Sequence, residues 1–178
     1  MRTPILETER LILRPLVVSD ANEIFRNWTS DPEVAKFMRW NLHTDVEVTR
    51  GWLEIEEQNL ESDQYFTWGF VKKETNELIG SGGLVYQQDL NMFELGYNLM
   101  KKYWDMGYTT EAAKEIIRFA QYDLKQNQLF CRHAVENYAS GSVIKKLGFI
   151  YQKEGSYSSF DHTRTFLTKD YILRKSEG

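Results

Sequence analysis

The sequence predicts a single domain of mixed α/β class, and three observations carry that reading. First, residues 65–72 and 78–86 read as strands joined by the turn-forming Glu74, Thr75, Asn76 and Glu77, which makes a hairpin. Second, residues 93–99 alternate, with Phe93, Leu95, Tyr97 and Leu99 on one face and Glu94, Gly96 and Asn98 on the other. Ala113, Ile116, Ile117, Ala120 and Leu124 then recur at helical spacing before a short apolar run at 129–135, a βαβ unit. Third, 178 residues suffice for one sizeable core and are too few for two comfortable ones. Hairpins first and a βαβ unit later indicate one mixed layer.

The remaining elements follow in order. Residues 10–16 read as a strand stopped by Pro15. Asp20 and Glu23 have capping-box spacing and open a short helix through Trp28. Asp31-Pro32 punctuates, and a second short helix covers 33–38. Thr44 and Glu47 repeat the capping-box spacing ahead of a longer helix carrying Val48, Trp52 and Ile55 at i, i+4 and i+7. Arg39, Trp40 and His43 lie between these helices, at a packed corner or a pocket mouth. Gly80, Gly82 and Gly83 inside a strand suggest a bulge or a close backbone neighbour. Asn137 is a good N-cap for a helix through Leu147, closed by Gly148, and strands at 149–153 and 164–173 finish the domain.

Composition narrows the function classes. With 22 Lys and Arg against 26 Asp and Glu the net charge is −4, which argues against nucleic acid as the main ligand and slightly favours a cationic one. Cys131 is the only cysteine, so no internal disulfide forms. Cys131 and His43, His133 and His162 are too scattered for a metal site. No run of 18 apolar residues exists and the start lacks a signal-peptide hydrophobic region, so a cytoplasmic protein with no membrane partner is expected.

The chemistry gathers between Phe93 and Phe119. A helix that opens directly after a turn presents unpaired N–H groups and the positive end of its dipole, which binds phosphate. The alternative is an ordinary strand–helix connection that binds nothing.

Three ordered blocks carry a resemblance: ETERLILRPL at 7–16, ELGYNL with YWDMGYTTEA at 94–112, and VENYASGSVIKKLGF at 135–149. Together they resemble the GNAT acetyltransferase superfamily, and within it the ribosomal-protein alanine N-acetyltransferase-like branch. The resemblance implies a central, mostly antiparallel sheet with helices on both faces and a βαβ cofactor unit. It implies acetyl-coenzyme A as cosubstrate and a primary amine, on a small molecule or a peptide N-terminus, as acceptor. The family's pyrophosphate turn maps onto Lys102, Asp105 and Gly107, so that N–H groups from Met106 through Gly107 and Tyr108 to Thr109 would hold the diphosphate, with Lys101 or Lys102 adding charge. Backbone groups at Leu99 and Met100 would pair with the pantetheine arm, as would Asn137. Edge strands and abundant aromatics leave a homodimer open.

Asp105 departs from the family, which has glycine there. A carboxylate ~6 Å from a phosphate costs on the order of 3 kcal/mol at an effective dielectric near 20, less when solvent screens it. Its side chain is therefore expected to face water or bond within the turn, in a left-handed backbone that Asp tolerates. Glu94, beside Gly96, is the candidate base, against a solvated or ion-paired strand position. Ser140, three residues past Asn137, is by resemblance the donor to the coenzyme A thiolate, with Tyr138 a weaker candidate. Glu111 stands in the first turn of its helix, where the dipole favours a carboxylate and where it would align the turn. An acyl-coenzyme A binding module without transferase activity is the competing reading.

Overall fold

The computed structural model describes residues 1–177, and an eight-stranded sheet organises it. The strands are β1 (Leu6–Glu7), β2 (Leu11–Arg14), β3 (Tyr65–Lys72), β4 (Glu77–Gln87), β5 (Met92–Leu99), β6 (Gln128–Ala134), β7 (Ile150–Ser158) and β8 (Thr165–Arg174). Their spatial order is β1-β2-β3-β4-β5-β6-β8-β7. Every pairing is antiparallel except β5 with β6. The helices are α1 (Ala21–Ile24), which continues as a wider turn through Thr29, α2 (Pro32–Ala35), α3 (Val46–Gln58), α4 (Tyr108–Arg118) and α5 (Tyr138–Lys146).

Side-chain alternation divides the core between the two faces of the sheet. Leu11, Leu13, Phe66, Trp68, Ile79, Leu95 and Leu129 pack with Ala112, Ala113 and Ile116 of α4 and Ile144 of α5. Val71, Leu78 and the half-buried Ile12 pack on the other face with Ala21, Ile24, Trp28 and Leu53. At β4 the expected bulge is present: Phe70 pairs with Gly80 and Val71 with Leu78, leaving Ile79 as the extra residue. The close neighbour is present too, since a Cβ on Gly83 would stand 1.9 Å from the Phe66 carbonyl oxygen.

Several expectations need correction. Asp20 does not cap with Glu23: it pairs with Arg14 at 2.9 and 3.0 Å and accepts from the Val17 N–H, while Glu23 accepts from the Leu78 N–H. Asp45, not Thr44, caps α3. That helix also turns a different face inward, with Leu53 at 0% exposure against 49% for Val48 and 55% for Ile55. A buried polar network sets the face: Thr49 Oγ1 bonds Thr29 Oγ1 at 2.9 Å and His43 Nδ1 at 2.7 Å. The penultimate strand extends to Ser158, and the two-residue β1 was not anticipated.

The β5–β6 pairing positions everything that follows. It consists of Phe93 with Leu129 and Glu94 with Phe130, although both strands run on for several residues. Beyond Glu94 the two strands part and leave a split in the sheet, its mouth at the end of β5 where the chain turns into α4.

Candidate active site

The turn at the mouth is built from two left-handed residues, Asp105 at φ 62° and Gly107 at φ 81°. Asp105 is exposed, so its carboxylate faces water as its place in the turn requires. Gly107 is the N-cap of α4 and supplies no side chain to cap it. Among the described residues, none of the main-chain N–H groups from Asp105 to Thr110 donates to a protein acceptor; the first helical bond is from the Glu111 N–H to the Gly107 carbonyl. These amides and the helix dipole form one positive concavity. Lys101 is occupied by an ion pair with Glu33, whereas Lys102 is exposed and lies over the Tyr103 ring.

Behind this turn stands a clamp. Glu111 accepts from the Thr8 hydroxyl at 2.6 Å, the Arg10 N–H at 2.8 Å and the Arg10 Nε at 2.7 Å. Burial works against the Glu111 charge, but the Thr8 and Arg10 donors outweigh it and hold the carboxyl below its ordinary value. Arg10 also donates from Nη1 to the Met106 carbonyl at 3.1 Å and lies 4.0 Å over the Tyr108 ring. Tyr108 is buried, so only its amide faces the turn.

Inside the split, the two faces of β5 diverge in character. On the α4 side the Tyr97 hydroxyl meets Ser140 Oγ at 2.9 Å, which bridges β5 to the start of α5 across the opening. Burial pushes the Tyr97 phenol far above its ordinary value, so it stays protonated. Asn137 accepts from the Ser140 N–H at 3.3 Å and thus caps α5, leaving its amide nitrogen without a protein partner among the described residues. Tyr138 is exposed and stands apart from this pair. His133 is a satisfied core histidine between Ala134 and Tyr171, and Cys131 is buried with its thiol on the Leu95 carbonyl.

On the opposite face, Glu94 Oε2 meets Arg132 Nε at 3.1 Å and Oε1 accepts from Gln87 at 2.9 Å. Glu94 is therefore ion-paired, with only part of its lone-pair capacity free. Next to it Gly96 borders open space, with nothing within 4 Å of where a Cβ would stand.

One expectation about the strand end shifts. The Met100 N–H donates to Ile79 in β4 at 2.8 Å and its carbonyl accepts from Tyr103, so Met100 has no free main-chain group. The Leu99 carbonyl is taken by the Trp104 indole at 2.7 Å. The short turn at Lys101–Tyr103 closes the strand where an open edge was expected. Main-chain groups alternate along a strand, so with Met100 facing β4, those of Leu95, Tyr97 and Leu99 face the split.

Sequence reasoning missed Arg10, Trp104, Tyr97 and Arg132. Tyr97 read as one more apolar position of its strand, and the other three act through contacts that no local pattern announces. Among the described residues no group of three His, Cys, Asp or Glu side chains could hold a metal ion, and no helix is long and apolar enough to cross a membrane.

Comparison with known proteins matches this architecture. The family model described as an acetyltransferase (GNAT) domain matches residues 10–150. An uncharacterized N-acetyltransferase, p20, of Bacillus licheniformis is 32% identical over 170 residues, covering 94% of this chain and 93% of its own. Two solved structures share the fold at low identity. The ribosomal-protein-S5-alanine acetyltransferase of Vibrio fischeri has a TM-score of 0.79 at 16% identity, covering 96% of each chain. The microcin C7 self immunity acetyltransferase MccE, in complex with acetyl-CoA and AMP, has a TM-score of 0.80 at 13% identity, covering 94% of this chain and 93% of that one. With its family model spanning most of its length, this chain belongs to the GNAT acetyltransferase family and is an acetyltransferase, of a family that uses acetyl-coenzyme A.

Proposed function

We propose that the protein transfers the acetyl group of acetyl-coenzyme A directly onto a primary amine inside the β5–β6 split. The observation that carries this reading is the run of unpartnered amides from Asp105 to Thr110 at the mouth of the split. They suit a diphosphate, with Lys102 beside them. From there the pantetheine arm would run past Asn137, and the N–H groups of Tyr97 and Leu99 would face it from β5. The thioester would then lie between the Tyr97–Ser140 pair and the open space at Gly96.

In this reading the amine nitrogen attacks the thioester carbon and the C–S bond breaks. A main-chain N–H of β5 meets the developing oxyanion. The Ser140 hydroxyl, held by Tyr97, hydrogen-bonds the leaving thiolate, which takes its proton from solvent in balance with the one the amine gives up. The amine must arrive neutral. An α-amine, pKa ~8, costs under about 1 kcal/mol to deprotonate near pH 7.4, against about 4 kcal/mol for a lysine amine. Glu94 receives the amine proton, directly or through water, and Arg132 fixes its orientation.

An acetyl-coenzyme A consumption assay across α-amines, polyamines and peptides tests the reading, repeated with Glu94→Gln. Thiol release that needs an amine and falls about 10²-fold in the variant is expected. Undiminished turnover removes Glu94 as base. The engaged oxygens of Glu94 favour one competitor, a binding module without transfer, which predicts tight cofactor binding and no thiol release with any amine.

A further inference from the structure

The acceptor side of the split holds a cation without a counter-ion. Arg39 is pinned from two directions: its Nε donates to the Ser158 carbonyl at 2.9 Å, and its own carbonyl accepts from the Phe160 N–H at 2.8 Å. The guanidinium lies 4.7 Å over the Phe160 ring. Its two Nη groups donate to no protein acceptor among the described residues, yet neither is sealed away, since the buried side-chain polar atom left without a partner is Trp28 Nε1. Burial and then the like charge of Arg132 both work against the Arg39 charge, with Glu94 the carboxylate that favours it.

The neighbouring charges are otherwise engaged. Arg164 donates to the carbonyls of Lys36, Met38 and Trp40 and to Asn41. Arg132 is divided between Glu94 and the Ser156 carbonyl. Asp161 is taken up by Ser159, Thr163 and Asn41, and the buried Asp170 by Thr168. Arg39 is thus a pre-placed planar donor pair, partly desolvated, on the same side of the sheet as Glu94 and Gly96. A guanidinium in that state gains most from a carboxylate, which accepts from two N–H groups at once.

We propose that the amine acceptor also carries a carboxylate, and that Arg39 binds it while Glu94 faces the amine. The proposal rests on the transfer reading above and names the substrate class for it: an amino acid, or a peptide N-terminus with an acidic residue close by. It runs against the slight preference for a cationic acceptor that the net charge of −4 suggests, because the local field depends on where charges stand.

Matched substrates test it. Steady-state kinetics are measured with amino acids against their carboxamides, and with peptides bearing Asp or Asn at the second position, for wild type, Arg39→Gln and Arg39→Lys. Wild type is expected to favour the carboxylate member of one pair by roughly ten- to hundredfold in kcat/KM, the worth of a charge-assisted hydrogen bond. Which pair shows the preference identifies the source. In Arg39→Gln the ratio should collapse toward one, the loss falling on KM, and Arg39→Lys should restore part of it. Equal kcat/KM within both pairs in wild type overturns the proposal, whatever the variants do. Turnover of neutral amines would then leave the transfer reading standing, whereas cofactor binding without thiol release on any amine overturns both.

Discussion

Glu111 Oε1 lies 2.7 Å from Arg10 Nε, across 101 residues of sequence, and this contact ties the first strands of the sheet to the opening turn of α4. Arg10 reaches onward to the Met106 carbonyl, so one guanidinium spans both sides of the amide run. Replacing Glu111 by Gln should remove the counter-charge of Arg10 and one of the two acceptor oxygens shared by Thr8 and Arg10, leaving the turn less fixed. The expected result is a loss of about 1–3 kcal/mol in stability and weaker acetyl-coenzyme A binding, read by denaturant titration and calorimetry. Affinity unchanged against a lowered stability would make the clamp purely structural.

The same pair gives a pH dependence with a definite sign. Glu111 is held below its ordinary value of 4.5, so its contribution to stability is fully present above that value. It is lost as pH falls below 4.5 through the lowered folded-state value. Wild type should therefore lose thermal stability more steeply than Glu111→Gln across that acid window, and parallel melting curves would contradict the clamp.

Asp105 combines a left-handed backbone with an exposed carboxylate in the turn. Glycine removes the steric cost of φ 62° and a negative charge beside the expected diphosphate. Because solvent screens an exposed charge, Asp105→Gly should tighten acetyl-coenzyme A binding by only several-fold, less at high salt. Calorimetry at two ionic strengths reads it; unchanged or weaker affinity sinks the idea.

Two strand glycines should behave in opposite ways. A Cβ at Gly83 would stand 1.9 Å from the Phe66 carbonyl oxygen, so Gly83→Ala must force β3 and β4 apart. It should cost at least about 3 kcal/mol or abolish folding. At Gly96 a Cβ meets nothing within 4 Å, and alanine there should fold normally while crowding the acceptor. Melting curves and KM for the amine separate the two, and a stable Gly83→Ala would refute the close approach.

What could be read from the sequence depended on how local its cause was. Gly107 and Asn137 were legible because a left-handed turn residue and a helix cap are demands of the immediate backbone. The alternation of β5 announced itself for the same reason, each residue being set by its neighbours two away. The buried face of α3 was not legible: hydrophobicity pointed to Val48 and Ile55, but Thr49 is drawn inward by Thr29 and His43. The closure of β5 by Trp104 and the clamp from Arg10 depend on contacts that exist only once the chain has folded. At the candidate site the turn was visible, whereas the partners that orient it were not.

Tyr97 and Ser140 stand 43 residues apart and touch through hydroxyls at 2.9 Å, joining the two sides of the split. A serine hydroxyl alone is a weak donor to a leaving thiolate. A phenol kept protonated by burial stays a hydrogen-bond donor, and through its contact with Ser140 it strengthens the bond that the serine offers the thiolate. Tyr97→Phe keeps the ring that packs against the core and deletes only the hydroxyl's bonds to Ser140, to its Oγ and to its carbonyl. Stability should fall by about 0.5–1.5 kcal/mol and acetyl-coenzyme A affinity should hold. The acyl-transfer step should slow by about ten- to a hundredfold, the worth of a hydrogen bond to a charged group, and Ser140→Ala should slow it comparably. The double variant should be little worse than either single one, because each single change already breaks the same hydrogen-bonded pair. Single-turnover kinetics isolates that step. Additive losses in the double variant would show that the two hydroxyls work separately, and full activity in Tyr97→Phe would reduce the contact to a structural strut.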